Sequence, residues 1–153
     1  MTSLELKIPP PVVALLAILA MWGLSLVTSA LPIPTVVRIW AAVAFALVGI
    51  GFSIAGVVSF KRARTTVNPT RPQLTSSLVT SGVYSVTRNP MYLGLLFVLI
   101  AFAVFLSSAW AFVGPAAYFL YIARFQIAPE ERALSTLFGA EFTGYLSRVR
   151  RWL

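Results

Sequence analysis

Few side chains in this sequence could carry out chemistry, and their types exclude most kinds of active site. The chain has no Cys, no His and no Asp, and its carboxylate side chains are Glu5, Glu130, Glu131 and Glu141. Disulfides, thiol nucleophiles, His-based catalytic triads and His/Cys metal sites are therefore excluded. Magnesium-dependent phosphoryl transfer is disfavoured because only Glu130 and Glu131 could share an ion. A reaction here must proceed without a strong general base, a covalent nucleophile or a metal.

Two short segments combine polar residues in patterns typical of a binding site. In residues 88–94, Pro90 suits the first position of a helix, and Asn89 would then be its N-cap. A helix N-terminus beside basic residues can bind an anion, but the same residues also describe an ordinary capped helix start. Further along, Glu130 and Glu131 follow a proline, where acids either complement the helix dipole or belong to a site. Both alternatives stay open at this point.

Membrane-spanning helices must position these segments. Hydrophobic residues make up 59% of the 153 residues and charged residues 10%, against roughly 25% charged residues in soluble domains. Uncharged stretches cover residues 8–37, 39–60 and 89–123, and a helix needs about 20 apolar residues to cross a bilayer. We therefore expect one all-α integral membrane domain over residues 1–153, with four transmembrane helices at about 12–31, 36–60, 91–106 and 109–125.

Residue types within the spans predict how the helices pack and turn. Gly49, Gly51 and Gly56 give the second span a small-residue face suited to close helix packing. The last two spans should form a tight hairpin that turns at residues 107–108, and the Gly-Pro pair at 114–115 should kink the fourth span.

Beyond the spans, residues 129–152 repeat apolar side chains every three or four positions. This spacing predicts an amphipathic C-terminal helix on the cytoplasmic side. One flank of that helix would align Glu130, Leu134, Glu141, Tyr145 and Arg148.

Basic residues predict the orientation in the membrane. Twelve Lys and Arg against four acidic residues give a net charge of +8. The loop 61–90 carries five basic residues and no acid, whereas the connection between the first two spans carries only Arg38. The positive-inside rule places this loop and both termini in the cytoplasm. A nucleic-acid partner is not expected, because the basic segments lack interleaved aromatic residues.

Several separated motifs together resemble one family. LVTSGVY at 78–84 precedes RNPMYLG at 88–94, and a hydrophobic hairpin, an EE pair, LFG and a terminal Tyr-x-x-Arg-Val follow in that order. This arrangement resembles the isoprenylcysteine carboxyl methyltransferase and phospholipid methyltransferase family of integral membrane enzymes. The resemblance covers more than half of the chain. It implies S-adenosylmethionine as cofactor, S-adenosylhomocysteine as product, a membrane-lipid or other hydrophobic acceptor, and a cytoplasmic cofactor loop at 61–90.

The resemblance also implies roles for individual residues. The cofactor would be bound by Ser76, Ser77, Leu78, Val79, Tyr84, Asn89, Pro90, Met91, Tyr92 and Glu130. Family arginines near the reacting groups correspond to Arg88 and Arg148, and substrate-binding positions correspond to Arg124, Gln126 and Glu131. A methyl group on a sulfonium is already activated, so the protein mainly aligns donor and acceptor and excludes water. No metal or covalent intermediate is required.

Two positions depart from the family pattern and leave the acceptor open. Asn89 stands where His is commoner, which keeps hydrogen bonding but removes a titratable group. Gln126 stands where the family has an arginine for a substrate carboxylate, although Arg124 is two residues away. These departures leave a carboxylate, an amine and a thiol open as the acceptor group. We expect a bacterial inner-membrane protein.

Two other interpretations compete with an active methyltransferase. One is a non-enzymatic four-helix membrane protein, either a transporter subunit or a structural module. Transporters usually place an ionisable residue inside the membrane, and none of the four predicted spans has one at its centre. The other is a degenerate relative that binds cofactor or lipid without turnover.

Overall fold

The computed structural model describes residues 4–64 and 76–153, and residues 65–75 of the predicted cofactor loop lie outside this description. Five α-helices follow one another: α1 (Pro10–Val27), α2 (Thr35–Arg62), α3 (Pro90–Leu106), α4 (Val113–Ile122) and α5 (Ala128–Leu146). Short 3₁₀ helices lie at Gly82–Ser85 and Ala109–Phe112, and a π-helix lies at Ala123–Ile127. The prediction of an all-α chain is confirmed for the described residues.

Three helices are long and apolar enough to cross a membrane, namely α1, α2 and the continuous helical run Ala109–Leu146. Helix α3 is also apolar, but its 17 residues make it shorter than these three. Prolines mark two of the boundaries, since Pro10 begins α1 and Pro34 directly precedes α2. A proline suits a helix start because its fixed φ is helical and its missing N–H would have no partner there.

Helix α3 packs against α2 on one side and against α1 and α4 on the other. A Cβ atom added at Gly49 would lie 2.5 Å from the carbonyl oxygen of Gly94 in α3, and one added at Gly56 would lie 2.7 Å from Met91 Cγ. A Cβ at Gly51 would meet nothing within 4 Å. Two of the three predicted glycines therefore serve close packing, and they do so within the chain.

The connection after α3 lies at residues 107–108, where the hairpin turn was predicted. Ser107 ends α3 in the left-handed region, with φ +55°. Its carbonyl oxygen accepts a hydrogen bond of 2.5 Å from the Leu31 N–H, and its hydroxyl donates to the Leu31 carbonyl oxygen at 3.1 Å. The hairpin turn and the connection between α1 and α2 therefore lie at the same end of the helices.

The predicted kink at residues 114–115 falls where the 3₁₀ helix Ala109–Phe112 changes into α4. Pro115 lies in the first turn of α4, where a missing N–H is tolerated. Gly114 packs against the side chain of Met21 in α1. The same helical run is irregular again at the π-helix Ala123–Ile127.

The C-terminal helix is shorter than predicted and is broken. Helix α5 ends at Leu146 rather than at residue 152, and inside it Gly139 has φ +49° and ψ −119°. Glycine adopts this left-handed backbone without a steric penalty, and helical spacing does not continue across it. The predicted flank is therefore wrong: Tyr145 is buried, whereas Glu141 and Arg148 are exposed.

The residues after α5 return to the start of α3 and to α4. Thr87 and Arg150 form an isolated parallel β-bridge, and the Arg88 N–H donates to the Arg150 carbonyl oxygen at 3.0 Å. The Trp152 ring lies 4.8 Å from the Phe119 ring of α4, measured between centroids. The C-terminal tail thus connects two parts of the fold that are distant in sequence.

Candidate functional site

Two neutral side chains hold one carboxylate oxygen of Glu130. Tyr92 is buried in the first turn of α3, and its hydroxyl donates a hydrogen bond of 2.6 Å to Glu130 Oε1. Gln126 Nε2 donates to the same oxygen at 2.7 Å. Gln126 belongs to the π-helix, an irregularity often found at functional sites. The two polar segments singled out in the sequence therefore meet at Glu130.

The adjacent carboxylates Glu130 and Glu131 have different charge environments. Within residues 4–64 and 76–153, no arginine or lysine lies at ion-pair distance from Glu130. Glu131 pairs with Arg88 at 3.2 Å and with Arg151 at 2.5 Å. Glu130 is thus a carboxylate without a cationic partner in this part of the chain, whereas Glu131 belongs to a cluster with a net positive charge. The same residues contain no group of three acidic side chains that could hold a metal ion.

Arg88 keeps one donor that the described protein does not use. Its side chain is 14% exposed and its Nη2 reaches Glu131, but its Nε is buried and has no hydrogen-bond partner among the described residues. An unpaired buried donor costs about 1–3 kcal/mol, and more when it is charged. Arg88 therefore has an N–H group suited to a ligand acceptor atom.

Asn89 does not cap α3 as predicted. It occupies the N-cap position, but no side-chain cap hydrogen bond forms. Its Nδ2 donates instead to the Arg151 carbonyl oxygen at 2.9 Å. The backbone angles of Asn89, φ −130° and ψ 53°, place its side chain toward the C-terminal tail rather than over its own helix. The first turn of α3 is left without a side-chain cap.

Tyr84 anchors the turn that precedes α3. The turn begins at Gly82, whose φ of +65° favours glycine. The Tyr84 ring lies edge-on to Phe60 at 5.3 Å, and the Tyr145 hydroxyl donates to the Tyr84 carbonyl oxygen at 2.6 Å. Burial raises the pKa of the Tyr84 hydroxyl far above its usual range, so this hydroxyl is neutral at physiological pH.

The Tyr145 hydrogen bond should make a measurable contribution to stability. We expect Tyr145→Phe to lower the free energy of unfolding by about 1–2 kcal/mol, because it leaves the buried Tyr84 carbonyl without its partner. Denaturant unfolding in detergent measures this change. Tyr121→Phe is the matched control, since the Tyr121 hydroxyl has no hydrogen-bond partner in the described part of the chain. Equal losses in both variants would contradict the assignment.

The structure brings together most, but not all, of the residues predicted for the site. Arg88, Asn89, Tyr92, Gln126, Glu130 and Glu131 lie in one network of contacts. Pro90 and Met91 face Gly56 of α2, Val79 is buried, and the Ser77 hydroxyl donates to the Ala63 carbonyl oxygen at 3.3 Å. Arg124 is exposed, and so is Arg148, whose Nε donates to the Gly144 carbonyl oxygen at 3.0 Å. No hydrogen bond or ion pair among the described residues joins these two arginines to the network.

Arg151 belongs to the network but was not predicted for the site. The positive-inside rule accounts for every arginine near the C-terminus, and nothing in residue type separates Arg151 from Arg150. The difference is tertiary: Arg150 is exposed, whereas Arg151 is half-buried against Glu131. Its position beside Trp152, which packs on Phe119, was the available signal.

Comparisons with known proteins agree with this architecture. The sequence model of a family described as phospholipid methyltransferase matches residues 37–141, which include α2 from its third residue, α3, α4 and both glutamates of the network. An uncharacterized protein of Haemophilus influenzae is 44% identical over 63 residues, which are 41% of this chain and 100% of that protein. No solved structure matches the chain.

Proposed function

The chain belongs to the phospholipid methyltransferase family, and from this premise we propose that it transfers the methyl group of S-adenosylmethionine to a lipid-like acceptor. The family implies a methyltransferase in the membrane with a lipid-like acceptor. The cofactor, the membrane face and the residues involved are our proposal. The observation that carries it is the Tyr92–Glu130–Gln126 contact, which brings the start of α3 and the π-helix together at one carboxylate of α5.

The donors and acceptors of this network fit the proposed cofactor. S-adenosylmethionine carries a sulfonium, an amino group, ribose hydroxyls and a carboxylate. Both hydrogen bonds that described residues donate to Glu130 end on Oε1, so Oε2 is available for a cationic or hydroxyl group with respect to this part of the chain. The free Arg88 Nε and the uncapped first turn of α3 suit a carboxylate. When bound, the cofactor supplies an activated methyl group, so no nucleophilic side chain is needed.

The remaining cofactor contacts are assigned by the resemblance. The resemblance implies that Tyr84, Tyr92, Asn89, Pro90 and Met91 would hold the cofactor together with residues 76–79. Arg88 would act near the reacting groups. Arg148 would also act near the reacting groups and Arg124 at the acceptor, and both side chains are exposed.

The site is proposed to face the cytoplasm. Its network lies at the end of the helices that carries Lys61, Arg62 and Arg64, opposite the end at which Ser107 contacts Leu31. The positive-inside rule assigns the basic end to the cytoplasm. We infer that α3 also crosses the membrane, which gives four spans, and that both termini are cytoplasmic in a bacterial inner membrane.

The charge of the site favours an amine acceptor over a carboxylate. An acceptor carboxylate beside Glu130 would lack a cationic partner among the described residues there, because position 126 holds a neutral Gln and the neighbouring Arg124 is exposed. An amine is attracted to Glu130 and can pass it a proton before it attacks the methyl carbon. The chain's own residues then align the acceptor and exclude water, and the displacement is in line.

A label-transfer experiment tests this proposal. Purified protein is incubated with methyl-labelled S-adenosylmethionine and vesicles of phosphatidylethanolamine, with a prenylcysteine and a hydrophobic thiol in parallel reactions. We expect label in the amine lipid. Label only in the prenylcysteine would refute the amine assignment. Binding of S-adenosylhomocysteine without label in any acceptor would indicate a degenerate relative, and the absence of both would indicate a non-enzymatic membrane protein.

A further inference from the structure

The C-terminal tail, residues 147–153, lies across both halves of the proposed site. One half is the segment Thr87–Tyr92 that leads into α3, and the other is the helix that carries Glu130 and Glu131. Toward the first half, the Arg151 carbonyl oxygen accepts hydrogen bonds from Asn89 Nδ2 at 2.9 Å and from the Thr87 hydroxyl at 3.4 Å. Thr87 and Asn89 are both buried polar residues, so these bonds satisfy groups that are shielded from water.

Toward the second half, the Arg151 guanidinium binds Glu131 through two nitrogens. Its Nη2 lies 2.5 Å from Oε2 and its Nε lies 3.2 Å from Oε1. A fork of this kind fixes the orientation of a carboxylate more firmly than a single contact does. Glu131 Oε1 in turn receives Arg88 Nη2 at 3.2 Å. The orientation of Glu131 therefore determines where the Arg88 side chain is held.

We propose that Arg151 is a positioning residue for the site, fastening the Thr87–Tyr92 segment through its carbonyl and Glu131 through its guanidinium. This inference rests on the proposed function. Without Arg151, the described contacts that join the two halves directly are Tyr92 to Glu130 and Arg88 to Glu131. Arg151 adds a third connection and orients the carboxylate used by one of the other two. Arg151 would affect ligand binding by holding Glu131 and Arg88 in place, not by contacting the ligand itself.

The test is a double-mutant cycle on cofactor-product affinity. Binding of S-adenosylhomocysteine is measured by calorimetry for Arg151→Gln, Glu131→Gln and the double variant, all as the full chain in detergent. We expect Arg151→Gln to weaken binding about tenfold, within the range of coupling between residues of one ion-pair network. When Glu131 is already Gln, adding Arg151→Gln should lower the affinity for S-adenosylhomocysteine by about twofold or less, because Arg151 then has no carboxylate to orient.

Two further variants separate positioning from folding. Arg150→Gln is the matched control: its side chain is exposed, and the substitution leaves the Arg150 carbonyl oxygen in place to accept from the Arg88 N–H, so binding should be unchanged. Arg151→Lys keeps the charge but not the fork, so its affinity should lie between wild type and Arg151→Gln. Wild-type binding by Arg151→Gln would overturn the inference about Arg151 and leave the proposed function intact. Poor folding of Arg151→Gln together with wild-type binding by Arg151→Lys would do the same. Wild-type protein that binds no S-adenosylhomocysteine would overturn the proposed function as well.

Discussion

Replacing Glu130 with Gln should weaken S-adenosylhomocysteine binding by roughly 10- to 100-fold, which corresponds to the 1.5–3 kcal/mol of a hydrogen bond to a charged group. Glu130 is the acidic residue of the network that no described cation neutralises, and its Oε2 accepts no hydrogen bond from the described protein residues. A neutral amide is nearly the same size, so it preserves packing while it removes the charge. Calorimetric titration of folded, detergent-purified protein measures the loss.

Glu141→Gln is the matched control for this substitution. Glu141 also lies on α5, and its substitution by Gln removes one carboxylate in the same way. Its side chain, however, is exposed and lies beyond the break at Gly139. We expect its affinity to equal that of the wild type. If wild type and Glu130→Gln bind S-adenosylhomocysteine equally well, Glu130 does not belong to the cofactor site. If Glu130→Gln and Glu141→Gln lose the same affinity, the loss comes from the change in overall charge.

Gly49→Ala should strongly destabilise the helix pair α2–α3. The new Cβ would lie 2.5 Å from the Gly94 carbonyl oxygen and 3.0 Å from Phe97 Cβ. A backbone oxygen cannot move aside as a flexible side chain can, so the helices must separate. Overpacking of this kind costs about 1–3 kcal/mol and occasionally more. Because α3 begins at the proposed site, we also expect weaker S-adenosylhomocysteine binding. Thermal unfolding in detergent measures the stability loss.

Gly51→Ala provides the control two residues away on the same helix. A Cβ at Gly51 meets nothing within 4 Å, so the change adds no clash. Alanine is also the better helix former by about 0.5–1 kcal/mol, and stability should stay the same or rise. Similar destabilisation by both substitutions would show that helix propensity or insertion, rather than α2–α3 contact, governs the response.

The apolar helices could be predicted because their signals are local. Hydropathy and prolines gave about 91–106 for the third span, and the structure has Pro90–Leu106. The hairpin turn at 107–108 followed from the length of one uncharged stretch and its two serines. Such features depend on the solubility of each side chain and on backbone geometry within a few residues. They need no knowledge of what lies across the fold.

The C-terminal helix could not be predicted in the same way, because a regular spacing of apolar residues does not reveal where a glycine takes a left-handed conformation. Gly139 interrupts the helix, and Tyr145 then faces Tyr84 while Arg148 faces outward. The N-cap assigned to Asn89 failed for a related reason. Its side chain instead donates a hydrogen bond to a carbonyl oxygen of the C-terminal tail, which is more than sixty residues away in sequence.

The available chemistry follows from residue types alone, since the chain contains four carboxylate side chains and neither His nor Cys, and the apolar helices follow from hydropathy. How the carboxylates are used depends on the packing of distant segments. Adjacent residues on a helix point about 100° apart, so Glu130 faces Tyr92 and Gln126 while Glu131 faces Arg88 and Arg151. The side chains that bind these two glutamates come from the start of α3, the π-helix and the C-terminal tail. The packing of these segments gives Glu130 and Glu131 different surroundings.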